Sequence, residues 1–125
     1  MKKIAKISAF LLLSVMFLSL TGCKKDPSVL KVFVRSAANQ LIPGARVIIA
    51  GDTYSNPPTR AYADTMMSNS TGYAVFDMDK YFGEKPAKGE VGYFNIIVKL
   101  DNKTANSSVR VRANIANVQT VKFSN

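Results

Sequence analysis

The 125-residue sequence predicts an all-β fold: about seven short strands forming an antiparallel Greek-key β-sandwich. Three observations carry that expectation. No 3.6-residue apolar period survives beyond Pro27. Short runs of alternating polarity, rich in β-branched and aromatic residues, recur instead. Clusters of Gly, Pro and Asn separate these runs at the spacing of sandwich turns, and no βαβ pattern, internal repeat or low-complexity tract interrupts them.

Taken in order, Val29 to Arg35 sets Leu30, Val32 and Val34 on one face and Lys31, Phe33 and Arg35 on the other. Ala45 to Ala50 reads as the second strand and Asp64 to Ser68 as a shorter third. Tyr73 to Met78 turns Ala74, Phe76 and Met78 inward, and Tyr93 to Leu100 does the same with Phe94, Ile96, Val98 and Leu100. Ser107 to Arg112 points Val109 and Val111 inward with Arg110 and Arg112 outward. Val118 to Phe123 closes the series with Val121 and Phe123.

Ahead of the first strand the composition changes. Met1 to Lys6 is cationic, and Ile7 to Leu20 is an apolar run broken only by Ser8, Ser14 and Ser19. Its 14 residues fall short of the roughly 20 that span a bilayer and match a signal-peptide core. Leu20-Thr21-Gly22-Cys23 then resembles the lipobox of bacterial lipoproteins, in which the peptide is cut before the cysteine and the thiol carries lipid. That resemblance implies three segments: a signal peptide at 1–22 that is removed, lipidated Cys23 with a tether to residue 28, and a domain over 29–125. A multiply acylated cysteine holds a membrane stably, whereas one acyl chain does not. Lys24 stands where inner-membrane lipoproteins typically carry Asp, which favours the outer membrane, periplasmic or surface-exposed.

Processing leaves 103 residues, enough for one core without staples, and lowers the net charge from +9 to +6 through loss of Lys2, Lys3 and Lys6. Cys23 is the only cysteine, so no intramolecular disulfide forms. An exported protein of this charge meets an anionic membrane surface or acidic glycan rather than nucleic acid.

Asn39-Gln40-Leu41-Ile42-Pro43-Gly44-Ala45-Arg46-Val47 resembles the first-turn motif of carboxypeptidase-regulatory-like, or transthyretin-like, domains, with Asn39 and Leu41 departing from the usual Gly and Pro. Ser68-Asn69-Ser70-Thr71-Gly72-Tyr73-Ala74-Val75-Phe76 is similar to a hairpin of the same family. The resemblance implies a fold and not a chemistry. Read physically, Gly44 and Gly72 suit positive φ, and Asn69 suits hydrogen bonding within its own turn.

If the strands alternate in direction, the tight turns at Leu41 to Gly44, Asn69 to Gly72 and Asp101 to Thr104 share one end. The long connections Gly51 to Ala63, Asp79 to Gly92 and Ala113 to Asn117 share the other, together with the start of the first strand. Lys24 to Ser28 reaches about 17 Å when extended, which sets the long-loop end against the bilayer. Tyr54, Arg60, Tyr62, Tyr81, Phe82, Lys85 and Lys88 on those loops are binding candidates, aromatics and cations suiting a membrane interface. Tyr81 and Phe82 equally suit plugging the open end of the core. A second candidate surface is a basic stripe of Lys31, Arg35, Lys99, Arg110 and Arg112, facing an acidic glycan, lipopolysaccharide phosphates or an envelope protein, or else protecting strand edges.

Histidine is absent, and with Cys23 committed no Ser-His or Cys-His arrangement can be built. Asp77 and Asp79 read as solvated charges at a strand end rather than a catalytic pair, and Asp52, Asp64 and Asp79 lack calcium-loop spacing. Lys31 with Asn114 or Asn117 has the residue types of an isopeptide crosslink, but Lys31 alternates outward. Three Asn-x-Ser/Thr triplets, at Asn69, Asn102 and Asn106, match a glycosylation sequon that bacterial lipoproteins normally do not use, and Asp64-Thr65-Met66 resembles a short O-glycosylation motif. The expectation is a non-catalytic binding or assembly module without cofactor or metal. A surface accessory binding glycan or host ligand and a pilus-type structural subunit are the alternatives, and oligomeric state stays open.

Overall fold

The computed structural model describes residues 26–124. Leu20 to Cys23 and the apolar run before them lie outside the described residues. The described chain is all-β apart from one helical turn. The elements are β1 (Val29–Arg35), β2 (Arg46–Gly51), β3 (Ala63–Met67), β4 (Tyr73–Asp77), α1 (Asp79–Phe82), β5 (Val91–Leu100), β6 (Lys103–Arg112) and β7 (Ala116–Lys122).

The strands form two sheets, one in the order β4-β1-β7 and one in the order β3-β2-β5-β6. Period-two alternation positions them. Leu30, Val32, Val34, Ala74, Phe76 and Val121 face inward from the smaller sheet, and Val47, Ile49, Phe94, Ile96, Val98 and Val111 meet them from the larger one. Each of these side chains is essentially inaccessible to water. Burial of a Leu, Ile or Phe contributes roughly 1.5–3 kcal/mol, so this interleaved layer is the main stabilising term. Val109, read as inward, is only half-buried because β6 is an edge strand.

Two departures from the sequence reading have simple causes. The sandwich is not wholly antiparallel: β1 pairs β7 in parallel, from Val29 opposite Ala116 to Arg35 opposite Lys122. In a chain whose strands alternate in direction, the first and seventh run the same way, so pairing them forces a parallel ladder. Residues 79–82, expected within a loop, form the single turn α1, which is too short to leave a periodic signature. Its Phe82 is buried under the sandwich end.

The β5–β6 hairpin is longer than its hydrophobic pattern suggests. The ladder runs from Val91 opposite Arg112 to Leu100 opposite Lys103, closed by Asp101 and Asn102, with Asp101 at φ 52°. Lys103 to Asn106 is polar, and on an edge strand it needs no apolar alternation to pair.

Both motif glycines occupy left-handed backbone, Gly44 at φ 74° and Gly72 at φ 83°. Gly72 is also sterically confined, since a Cβ there would lie 2.7 Å from the Leu41 Cβ. Asn69 Oδ1 accepts hydrogen bonds from the Thr71 and Tyr73 amides at 3.0 and 3.2 Å, which shapes the β3–β4 turn.

Candidate functional site

The strands place the tight turns at one end of the sandwich and the long connections at the other, where the described chain also begins. Ser28, fully buried, makes the junction there. Its amide donates to Asp79 Oδ1 at 3.0 Å, its carbonyl accepts the Met78 amide at 2.9 Å, and its Oγ accepts the Asn114 amide at 2.7 Å. The tether, α1 and the β6–β7 turn are thereby stitched together. Asn117 performs the same task one layer in, donating from Nδ2 to the Val29 and Arg112 carbonyls and accepting the Arg112 amide at 2.9 Å. Sequence inspection passes over Ser28 because a lone serine before a strand carries no pattern. Asn117 is committed to this network, and Lys31 lies on the outer face of β1 with its ammonium over the Tyr73 ring.

The long-loop candidates divide into packed and free. Tyr81 meets Tyr62, Phe82 and Phe94 edge-on, at ring-centroid distances of 5.5, 4.9 and 5.0 Å. Tyr62 also meets Phe94 at 6.2 Å. These rings close the core, and Gly92 makes room for them, since a Cβ there would lie 2.8 Å from the Phe94 ring and 3.1 Å from that of Tyr81. Arg60 seals the plug: its guanidinium lies 4.4 Å above the Tyr81 ring and donates to the Tyr81 carbonyl. Tyr54, by contrast, is 96% exposed, and Lys85 and Lys88 are exposed.

The loop bearing Tyr54 and Arg60 is held from beneath by buried Thr59. Its Oγ1 accepts the Tyr93 amide at 2.8 Å and lies 3.0 Å from Ser55 Oγ. Gly51 permits this close approach, because a Cβ there would sit 2.3 Å from the Arg60 carbonyl oxygen. Burial, then the carboxylates of Asp64 and Asp77, push the Tyr62 hydroxyl above its ordinary titration range, with Arg60 opposing.

The basic candidates do not form one stripe. Lys31 and Arg35 lie on the outer face of the β4-β1-β7 sheet, and Lys99, Arg110 and Arg112 on that of the other sheet. Lys31 Nζ sits 4.7 Å over the Tyr73 ring, which itself packs 5.4 Å from Phe33. Hydrogen bonding to Thr71 and Asn69, and then the Lys31 charge, lower the pKa of the Tyr73 hydroxyl. Arg112 instead joins Lys88 and Asp26 in a groove of about 420 Å³ beside Asn114 and Ile115, next to the tether. Tyr93 and Arg110 stand opposite each other along a smaller groove of about 260 Å³.

At the tight-turn end a third groove, of about 310 Å³, is lined by Arg46, Met67, Lys99 and Asp101. Arg46 and Lys99 stand in direct register on β2 and β5, and Arg35 and Lys122 in direct register on β1 and β7. Arg46, Lys103 and Lys122 are not part of the sequence-level stripe, because their proximity depends on strand pairing.

Asp52, Asp64 and Asp79 remain apart, each accepting a hydrogen bond from a nearby backbone amide. Among the described residues no three Asp, Glu, His or Cys side chains gather as metal ligands, and no helix is long and apolar enough to cross a membrane. No protein-family model matches the chain, and no curated protein is significantly similar to it. Fold and surface chemistry together define a small two-sheet β domain whose core is plugged at one end and which pairs like-charged cations at the other.

Proposed function

We propose that this protein is a lipid-anchored binding module of the bacterial cell envelope, held at the outer membrane through Cys23 and acting by contact rather than catalysis. The observation that supports it is the Ser28 junction. Ser28, at the end of the tether and only five residues beyond Cys23, is fastened to α1 and the β6–β7 turn at the long-loop end. An anchor placed there holds that end against the lipid and presents the tight-turn end outward. Tyr54, Lys85 and Lys88 then lie at the headgroup layer, where aromatic and cationic side chains are favoured. A transthyretin-like Greek-key arrangement of the strands belongs to the same reading, on the strength of the two glycine turns.

The test is intact-mass analysis of the protein extracted from membranes of its own host. The expected species begins at Cys23 and carries glycerol-linked acyl chains, and Cys23→Ser leaves the protein unacylated and released from the membrane fraction. A mature N-terminus elsewhere, or a Cys23→Ser protein that remains membrane-bound, would overturn the anchor.

A further inference from the structure

The distribution of charge over the folded domain is uneven in a way that the linear sequence does not display. At the tight-turn end five cations, Arg35, Arg46, Lys99, Lys103 and Lys122, face one acidic side chain, Asp101. Over the rest of the described residues seven Lys and Arg balance seven Asp and Glu. The whole excess of positive side chains on the described domain therefore lies at one end, the end farthest from the tether.

Four of the five cations are arranged as like-charge cross-strand pairs, Arg46 opposite Lys99 and Arg35 opposite Lys122. Side chains directly opposite on neighbouring strands lie about 5 Å apart at Cβ, and like charges there repel. An anion seated against each pair would turn that repulsion into attraction. The two pairs point outward from opposite sheets whose backbones pack about 10 Å apart, so the charged groups stand farther apart still, a span that one small anion cannot bridge and a repeating polymer can. Arg35 is partly held in place, donating to the Asn39 carbonyl at 2.8 Å. The turns between the pairs carry exposed amide and hydroxyl groups, on Asn39, Gln40, Asn69, Thr71 and Asn102, which match the hydroxyls of sugars.

We propose that the tight-turn end of the domain binds an acidic polysaccharide, its carboxylate, sulfate or phosphate groups bridging the Arg46–Lys99 and Arg35–Lys122 pairs across the end of the sandwich. The proposal draws on the anchored reading only for the direction in which this end faces. Binding itself does not need the anchor, so the two fail separately.

The experiment uses the chain from Lys24 onward, since every buried core residue lies between Leu30 and Phe123. Affinity is measured at low ionic strength for heparin, polygalacturonate and neutral dextran, with single-stranded DNA and anionic phospholipid vesicles in parallel. The expected result is binding to both acidic polysaccharides, none to dextran, and loss of binding as salt is raised. Arg46→Gln, Lys99→Gln and Lys122→Gln should each weaken binding about fivefold, and Lys80→Gln, the same charge change on α1 at the opposite end, less than twofold. The proposal is overturned by no binding to either acidic polysaccharide, by an equal loss from Lys80→Gln, or by binding of DNA or vesicles as tight as that of the polysaccharides. Excess inorganic phosphate should compete only at concentrations where salt of equal ionic strength does the same; strong competition by free phosphate would point to a small-anion site and sink the polymer.

Discussion

The guanidinium of Arg60 lies 4.4 Å above the ring of Tyr81, and the Arg60 amide meets the Tyr81 hydroxyl at 3.3 Å. One residue of a long loop thus clamps the aromatic plug over the core. Arg60→Ala removes the cation and its packing from that ring, with an expected cost of about 1 kcal/mol. Urea denaturation of the two proteins measures it. An unchanged midpoint would mean that the plug closes the core unaided.

Tyr81→Ala should cost more, about 3–4 kcal/mol, because it opens a cavity against Tyr62, Phe82 and Phe94. Tyr81→Phe keeps the ring and should cost under about 1 kcal/mol, since the lost hydroxyl is paired only by a long contact. A Tyr81→Ala protein with wild-type stability would identify Tyr81 as surface rather than core.

Ser28→Ala leaves the Asn114 amide without its 2.7 Å acceptor in a buried junction, at an expected cost of about 1–3 kcal/mol. Asp79→Asn should be nearly neutral, because Asn retains an acceptor oxygen for the Ser28 amide. Amide hydrogen exchange would locate the Ser28→Ala effect, with protection lost first at Asn114 and Val29. Uniform loss across the sheets would argue against a local junction.

The raised Tyr62 pKa gives stability an alkaline dependence of defined sign. Below the ordinary value of 10.0 both folded and unfolded chains hold the proton, and the full contribution is present. As pH rises above it the unfolded chain releases its proton first, so the unfolded state binds fewer protons and stability falls until the folded hydroxyl titrates too. Tyr62→Phe should flatten that part of the stability profile relative to wild type. A wild-type profile already flat from neutral pH through the tyrosine range would contradict the shift.

The Arg46–Lys99 register makes a separate stability forecast. Arg46→Glu replaces a repulsive cross-strand pair by an attractive one and should stabilise the free domain by about 0.5 kcal/mol at low salt, the gain shrinking as salt is added. Destabilisation by that exposed substitution would show that the pair is already neutralised by its surroundings.

Alternation alone located every strand to within a few residues, and Gly44 and Gly72 announced two of the turns. α1 was not legible, because one helical turn has no period to detect. The parallel β1–β7 ladder was not legible either, since alternation specifies a strand's faces and leaves its partner open. The candidate surfaces were read less completely. Tyr54, Lys85 and Lys88 are exposed as a loop reading implies, whereas Tyr62, Tyr81 and Phe82 are spent on the core. Arg60, although exposed, is engaged against Tyr81.

By itself the sequence determined the inward faces of the strands, because a period of two is a property of consecutive residues, and it determined the left-handed turns, because only certain residues tolerate that backbone. It also carries the resemblance to a lipobox, which is a property of a linear motif. Tertiary structure alone decided which strands are neighbours, and with them everything that depends on neighbours. Ser28 becomes a junction, Arg60 a clamp, and Arg46 a partner of Lys99 only when segments distant along the chain are brought into register. Charge and hydrogen bonding act through space, and the order of residues along the chain does not state those distances.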